Sequence, residues 1–324
     1  MSVKTALITG ALGQDGRLLA THLLESGYQV IGLNRPGAVP PSEGILSNMR
    51  CEHPSLTDAP ALRHLLARTR PDEIYHLAAV HHSSQEHQSH RSLNLHEAML
   101  SGNFLATKTL AFAMMETRIP AHLVFAASSQ MFTAEMGDCT IDERSSRKPS
   151  TFYGHIKSWS MDLLTFLRRE QGLQASSAIL FNHESPLRGH QFVSRKISRA
   201  AALAKLGRPV KLELHNLAAR VDWSSAGDVV RALHLMAAAD QADDYVVASG
   251  QLHSVEEMLG VAFAHAGLNW QDHVDMRPGQ PMPALAGCSA ALREKLHWAP
   301  RSSFKNMIAE MVDYDIKNLS IPAG

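Results

Sequence analysis

Thr5-Ala6-Leu7-Ile8-Thr9-Gly10-Ala11-Leu12-Gly13-Gln14-Asp15-Gly16 is the stretch that decides how this chain folds. Residues 5–9 make a continuous apolar run ending at glycine, the pattern of a parallel strand buried on both faces. From Gly16 to Ser26 the residues Leu18, Leu19, Leu23 and Leu24 recur at helical spacing, and Gly27 stops the helix. Gly10, Gly13 and Gly16 punctuate the turn between them, with Gln14 and Asp15 inside it. Glycines there let the backbone approach a pyrophosphate, and a helix N-terminus favours its charge. A plain tight turn is the competing reading. It explains less, because a second strand follows at Tyr28–Leu33, as a dinucleotide site requires.

That second strand ends in Asn34-Arg35. An acidic residue there would grip the ribose hydroxyls of NAD, whereas an arginine pairs with a 2′-phosphate. The position favours NADP, with NAD still open, because Arg35 also reads as a solvated loop charge.

The alternation continues outward. Arg35–Pro54 is rich in Pro and Gly and reads as a loop. Ala59–Arg68 reads as a helix, Glu73–Leu77 as a strand, Leu93–Glu116 as one long helix, and His122–Ala127 as a strand. Tyr153–Gln171 reads as a second long helix closed by Gly172, and Ala175–Leu180 as a strand. Strand and helix in turn predict an α/β fold: a Rossmann-type doubly wound parallel sheet with a smaller C-terminal substrate-binding lobe. The expected division is a dinucleotide-binding domain over 1–181 with a return to the sheet at about 222–247, and a lobe from 182–221 and 248–324. Ligands of such folds bind beyond the carboxyl ends of the strands, where Gly10, Arg35, Ala78 and Ser128 fall. Leu77, Ala78 and Ala79 are placed by this reading beside the cofactor, and His81 and Ser129 beside the substrate.

Composition narrows the function classes. Lys+Arg and Asp+Glu both total 31, so no basic field points to nucleic acid or to an anionic membrane. No apolar run is long enough to span a bilayer, and no signal peptide is read at the start. Three dispersed cysteines, Cys51, Cys139 and Cys288, suit reduced thiols in a cytoplasmic protein. Of the 19 histidines, His87 and His90 lack acidic or thiol partners at ligand spacing, so no metal site is expected.

The chemistry sits between residues 125 and 157. Tyr153 and Lys157 lie at i and i+4 on one helix face, where an ammonium lowers the phenol's pKa and readies it to accept a hydroxyl proton. Tyr153 is the only one of five tyrosines with a lysine four residues later. Ser128, at the end of the preceding strand, adds a hydroxyl. Gln130 stands where further proton chemistry would want a carboxylate, and an amide cannot take up a proton at neutral pH. His81 and His82 follow the Glu73–Leu77 strand and are candidate acids or bases at the cleft mouth. His155 has no assigned direction.

Together these residues resemble the extended short-chain dehydrogenases/reductases that modify nucleotide sugars, and within them the GDP-mannose 4,6-dehydratase family. The likeness covers nearly the whole chain. It is carried by Gln14-Asp15-Gly16 in the glycine turn, by Pro71 through Ala79, and above all by Leu180-Phe181-Asn182-His183-Glu184-Ser185-Pro186-Leu187-Arg188-Gly189. Arg195-Lys196-Ile197 and Asp222-Trp223 add to it. The resemblance implies that NADP oxidises a sugar at C4, that a glutamate removes the C5 proton as the C6 hydroxyl leaves, and that the hydride returns to C6. It gives Ser128, Tyr153 and Lys157 the catalytic roles and sends Asp58 to the adenine. Asn182, Lys196 and Arg277 would hold the GDP-sugar.

Two departures change what is expected. The family glutamate falls on Gln130, and loss of a general base costs about 10²–10⁴ in rate. The family arginine before Asp-Trp is Val221; Arg220 is adjacent, but neighbouring strand residues face opposite ways. The expected function is therefore hydride transfer at C4 of a GDP-hexose or GDP-heptose, as a 4-keto reductase, 4-dehydrogenase or 4-epimerase. The alternatives are a full 4,6-dehydratase in which His81, His82 or another group replaces the glutamate, and a nucleotide-sugar binder without activity. The altered loop Arg35–Pro41 argues against the tetramer of the relatives and leaves a homodimer through the two long helices.

Overall fold

The computed structural model describes residues 3–39, 41–81, 93–134, 137–210, 212–214, 216–276, 279–280 and 282–320. The opening stretch forms β1 (Thr5–Thr9) and α1 (Gln14–Glu25), followed by β2 (Gln29–Leu33). The segment expected to be loop instead contains a short 3₁₀ turn, Ile45–Asn48, and a third strand, β3 (Arg50–Glu52). Then come α2 (Ala59–Thr69) and β4 (Glu73–His76). The expected single helix is α3 (Leu93–Met99) and α4 (Ala106–Thr117), joined by a π-helical turn at Leu100–Leu105. β5 (His122–Ala126), β6 (Cys139–Ile141), α5 (Phe152–Gln171) and β7 (Ala175–Leu180) follow.

Beyond β7 the chain builds β8 (Asn182–Glu184), α6 (Val193–Lys205), β9 (Glu213–Leu214), β10 (Arg220–Ser225) and α7 (Ala226–Ala237). It continues through β11 (Tyr245–Val247), β12 (Leu252–Ser254), α8 (Val255–His265) and β13 (Asp275–Met276). It ends with β14 (Leu285–Gly287), α9 (Ala290–Leu296) and α10 (Phe304–Ser320).

Seven strands form one sheet in the order β11-β7-β5-β4-β1-β2-β3, and every pairing in it is parallel. Alternate residues of each strand feed opposite cores, as strand geometry demands. In β1, Leu7 joins α2, α4 and α5 on one face, while Ala6 and Ile8 join α1 and α7 on the other. In β5, Leu123 and Phe125 take the first face and Val124 and Ala126 the second. The central strands β1, β4, β5 and β7 are buried on both faces, and the few polar side chains among them, such as Glu73, His76 and Ser176, are hydrogen-bonded.

The return to the sheet is narrower than expected. Residues 222–225 belong to β10, which pairs with β8 and β12 in a separate three-stranded sheet of the lobe. Only β11 rejoins the main sheet, while α7 packs on its face. The lobe has a third core, formed by α6, α8 and α10 with Trp223.

One buried ion pair locks α6 to α10. Both guanidinium ends of Arg195 meet Asp315 at 2.6 and 2.7 Å, and Ser198 donates to the same carboxylate at 2.7 Å. The pair's side chains are only 2% and 3% exposed. Removing one partner strands the other charge, so Asp315→Ala is expected to cost about 3–5 kcal/mol in urea unfolding. A loss below about 1 kcal/mol, the value of a surface pair, would contradict this burial.

The sheet order reverses between β1 and β4, which opens the ligand crevice at their carboxyl ends.

Candidate active site

The crevice is floored by glycines that the packing requires. Gly10 adopts φ +70°, and a Cβ on it would lie 3.0 Å from the backbone of Ala78. A Cβ on Gly16 would lie 2.3 Å from the carbonyl oxygen of Gly10, so only glycine lets α1 start this close to β1. α1 has Gly13 at its N-cap and no side chain on its first amides, which keeps a helix N-terminus aimed into the crevice. A cavity of about 700 Å³ opens there, lined by Gly10, Gly13, Arg35, Leu77, Ala78 and Ala79 among others. A dinucleotide fits this shape: backbone cradle, helix terminus and an apolar wall.

Some expected cofactor residues have other work. Asn34 lines the cavity, and its Oδ1 accepts from Leu12 N at 3.1 Å and props up the glycine turn. Arg35 is exposed at the cavity rim. Asp58 caps α2, accepting from Ala61 N at 3.0 Å, and the cavity wall at this level is Ser55, Leu56 and Thr57. The side chains of Gln14 and Asp15 reach across to the lobe. Gln14 Nε2 donates to Asp15 and to the His183 carbonyl, Gln14 Oε1 accepts from Ser185, and His183 Nε2 meets Asp15 at 2.9 Å.

His183 also donates from Nδ1 to the Phe181 carbonyl at 2.7 Å, so both ring nitrogens face acceptors. Burial opposes charge on both partners, but their mutual attraction and hydrogen bond outweigh it. His183 is raised above the ordinary histidine value and Asp15 is lowered below the usual carboxylate range. A raised histidine stabilises fully below its unfolded value, about 6.5, and loses this as pH climbs through the folded value. A lowered aspartate stabilises above about 3.9 and loses this as pH falls through its folded value. The pair is therefore strongest in weakly acidic solution. The melting-temperature gap between the wild type and Asp15→Asn should peak near about pH 5–6 and narrow toward pH 9. A gap that widens with pH would refute the pairing.

The side chains expected to be catalytic come from the turn after β5 and from α5. Thr151 caps α5 by accepting from Gly154 N at 3.0 Å. A Cβ on Gly154 would lie 2.1 Å from the Gln130 carbonyl, so this glycine is what lets α5 press against the turn that carries Ser128. Ser128 caps that turn and accepts from Gln130 N at 3.2 Å. Ser129 is half-buried within it. Tyr153 and Lys157 share one face, with Lys157 Nζ 5.5 Å from the Tyr153 ring centre. Lys157 is 2% exposed and donates to the Ala126 carbonyl at 2.7 Å. Burial pulls its pKa down to about 7 and pushes the Tyr153 phenol well above the tyrosine range, against the charge of Arg188. Burial therefore opposes charge on both groups and raises the phenol, whereas the sequence predicts a phenol lowered by the ammonium. His155 is exposed and packs with Trp159, away from them.

His81 completes the cluster. Its ring meets Tyr153 edge-on at 4.7 Å and lies nearly parallel to Phe192 at 6.2 Å. Its Nε2 is 3.2 Å from Gln130 Nε2, and Gln130 Oε1 accepts from Thr151 at 3.2 Å. Arg188, to which no role was assigned from sequence, lies 3.6 Å over Phe192 and 3.2 Å from the buried Glu184.

Comparison with known proteins places this arrangement. The sequence model for GDP-mannose 4,6 dehydratase matches residues 7–311. The chain belongs to the GDP-mannose 4,6-dehydratase family. It is 35% identical to GDP-mannose 4,6 dehydratase 1 of Arabidopsis thaliana, over 97% of this chain and 90% of the relative. It is 32% identical to the human GDP-mannose 4,6 dehydratase, over 96% and 91%. Solved structures share the fold. UDP-glucose 4-epimerase of Thermotoga maritima superposes with a TM-score of 0.82 at 20% identity, covering 98% and 100% of the two chains. RMD of Pseudomonas aeruginosa, solved with NADPH, gives 0.79 at 20%, covering 97% and 100%.

The substrate side is less complete. Asn182 is exposed at the start of β8 and Lys196 is half-buried on α6. Arg220 is committed to Asp138, with two contacts of 2.8 Å, so its charge is already matched. Val221 pairs in register with His253. Arg277, His82, His87 and His90 lie outside the described residues. Among the described residues no group of three or more His, Cys, Asp or Glu could hold a metal ion, and no helix is long and apolar enough to cross a membrane.

Proposed function

We propose that this protein uses NADP to move a hydride at C4 of a GDP-sugar, as a 4-keto reductase, 4-dehydrogenase or 4-epimerase. The observation that carries this reading is Tyr153 and Lys157 on one face of α5, pressed against the Ser128 turn, with an amide, Gln130, at the remaining acid–base position. The bound cofactor supplies the hydride acceptor or donor. The chain supplies everything else. Ser128 and Tyr153 hold the C4 oxygen and Tyr153 exchanges its proton, while buried Lys157 sets the local charge. Gly10, Gly13 and Gly16 give the pyrophosphate a backbone cradle, and Arg35 stands where a 2′-phosphate would lie.

Guanine as the base follows the names of the similar curated proteins. Homodimer formation is supported by Phe112 on α4 and Trp159 and Phe166 on α5, large apolar side chains left exposed. Free thiols suit a cytoplasmic setting. Full 4,6-dehydration, the second reading, has one observation in its favour, the imidazole of His81 against Gln130.

The deciding assay offers GDP-mannose with NADP, and separately the 4-keto-6-deoxy sugar with NADPH. NADPH formed or consumed without loss of water is the expected result. Water loss by the wild type would sink the C4-only reading, and inertness in both arms would sink the enzymatic one. Arg35→Ala should weaken NADP binding by about 10–100-fold, the worth of one charge-assisted hydrogen bond, and leave NAD binding unchanged. Equal effects on both cofactors in a fluorescence titration would return Arg35 to the status of a loop charge.

A further inference from the structure

We propose that His81 is a second proton-transfer residue, whose Nε2 takes the proton from C5 of the sugar once C4 is a carbonyl. The inference rests on the C4 reading above and goes beyond it, because it assigns the position opposite Gln130 a chemistry that the amide cannot perform.

A chain of hydrogen bonds orients the amide beside the ring. Thr151 accepts from Gly154 N, and its hydroxyl proton goes to Gln130 Oε1. That sets the orientation of the amide, so the Gln130 N–H faces His81 Nε2 at 3.2 Å. A nitrogen that accepts carries no proton. With the amide in this orientation, His81 Nε2 faces a donor, the arrangement in which it acts as a base. A carboxylate at position 130 would do the reverse and draw a proton onto Nε2. The backbone before His81 is anchored as well. Val80 is bracketed by Asn103, its N–H donating to Oδ1 at 2.9 Å and its carbonyl accepting from Nδ2 at 3.0 Å. His81 and Gln130 are both exposed, so a substrate hydroxyl or carbon can displace the amide from Nε2.

The position suits the step. The ring stands edge-on to Tyr153 at 4.7 Å, and Tyr153 is the group that meets the C4 oxygen. C5 is bonded to C4, and a carbonyl at C4 acidifies the C5–H bond. As this bond breaks, its electron pair forms the C4–C5 double bond of an enolate. The negative charge falls on the C4 oxygen, within reach of the Tyr153 and Ser128 hydroxyls, and the proton sits on His81 as imidazolium. Reversal returns a proton to C5. No electrons are gained or lost overall, so the step needs no cofactor.

The test uses that independence. The intact protein is incubated with GDP-4-keto-6-deoxymannose in D₂O without nicotinamide, and deuterium at C5 is followed by NMR. The wild type should exchange C5 faster than the uncatalysed sugar, and His81→Gln should lose about 10²-fold or more of that rate. Its NADPH affinity, measured by fluorescence, reports that the fold is intact. Nitrogen NMR gives an independent readout: Nε2 of His81 should be unprotonated in the wild type and protonated in Gln130→Glu at neutral pH. Undiminished exchange in folded His81→Gln, or a protonated Nε2 in the wild type, would overturn the proposal. If the wild type reduces the keto sugar with NADPH but exchanges nothing at C5, this inference fails while the C4 reading stands. If it does neither, the C4 reading itself fails.

Discussion

Tyr153→Phe should lower the rate of C4 oxidation or reduction by about 10²–10⁴-fold while leaving cofactor affinity within a factor of about two. The substitution removes one oxygen and keeps the ring. The ring has structural work, since it meets His81 edge-on and lies under the Lys157 ammonium. Phenylalanine preserves both contacts. What it deletes is the only hydroxyl on the catalytic face of α5 that can take the sugar's proton as hydride leaves. Lys157 cannot substitute, because it is buried and spends a hydrogen bond on the Ala126 carbonyl at 2.7 Å. Ser128 offers a hydroxyl but no acidity near that of a phenol. Stopped-flow NADPH absorbance measures the chemical step directly. A loss under about tenfold would mean that proton transfer runs through another group.

How much of this was legible in the sequence follows from what each residue depends on. Strands β1, β2, β4, β5 and β7 were readable because both faces are buried, and a continuous apolar run says so without reference to distant partners. The cradle was readable because its glycines answer to local contacts: Gly16 to Gly10, and Gly10 to Ala78. β3 was not, because three residues, Arg50–Glu52, carry no period and take their strand conformation from Ile31–Leu33 alongside. The π turn at Leu100–Leu105 was not read from the apolar spacing; within it Gly102 passes where a Cβ would lie 2.5 Å from the Val80 side chain.

The site divides in the same way. Ser128, Tyr153 and Lys157 were recognisable from spacing, because one helix face and one strand end present them. Asp58 was sent to the adenine by resemblance, although Asp58-Ala59-Pro60 is a local helix-start signal, with an N-cap acid and a proline in the first turn. Gln14 and Asp15 were placed at the cofactor, but their side chains answer to His183 and Ser185, more than 160 residues away. Arg220 was a candidate for the substrate phosphate until Asp138, 82 residues distant, took its charge. For Gln14, Asp15 and Arg220 the observed partners are distant polar groups, and such pairings leave no periodic trace.

Gln130→Glu should raise water loss from GDP-mannose by about 10²–10⁴-fold over the wild type. Elimination needs a base at C5 and an acid for the departing C6 hydroxyl. Beside Gln130, an amide, the wild-type site presents the imidazole of His81 as an acid–base group. One such group supports exchange of the C5 proton but serves poorly as base and acid together. A carboxylate at position 130 fits the existing contacts. One oxygen accepts from Thr151 as Oε1 now does at 3.2 Å, and the other meets His81 Nε2, where an amide N–H now points. That contact favours the imidazolium, so the variant holds a proton acceptor and a proton donor side by side. Nothing else need move, because the Gln130 backbone is already clasped by Ser128 below and by the approach of Gly154. Mass spectrometry of the product, lighter by one water after dehydration, reads the gain without a coupled assay. If the variant binds NADP and the GDP-sugar but loses no water, the divergence from the family extends beyond this side chain. Val221 and the committed Arg220 are then the next positions to restore.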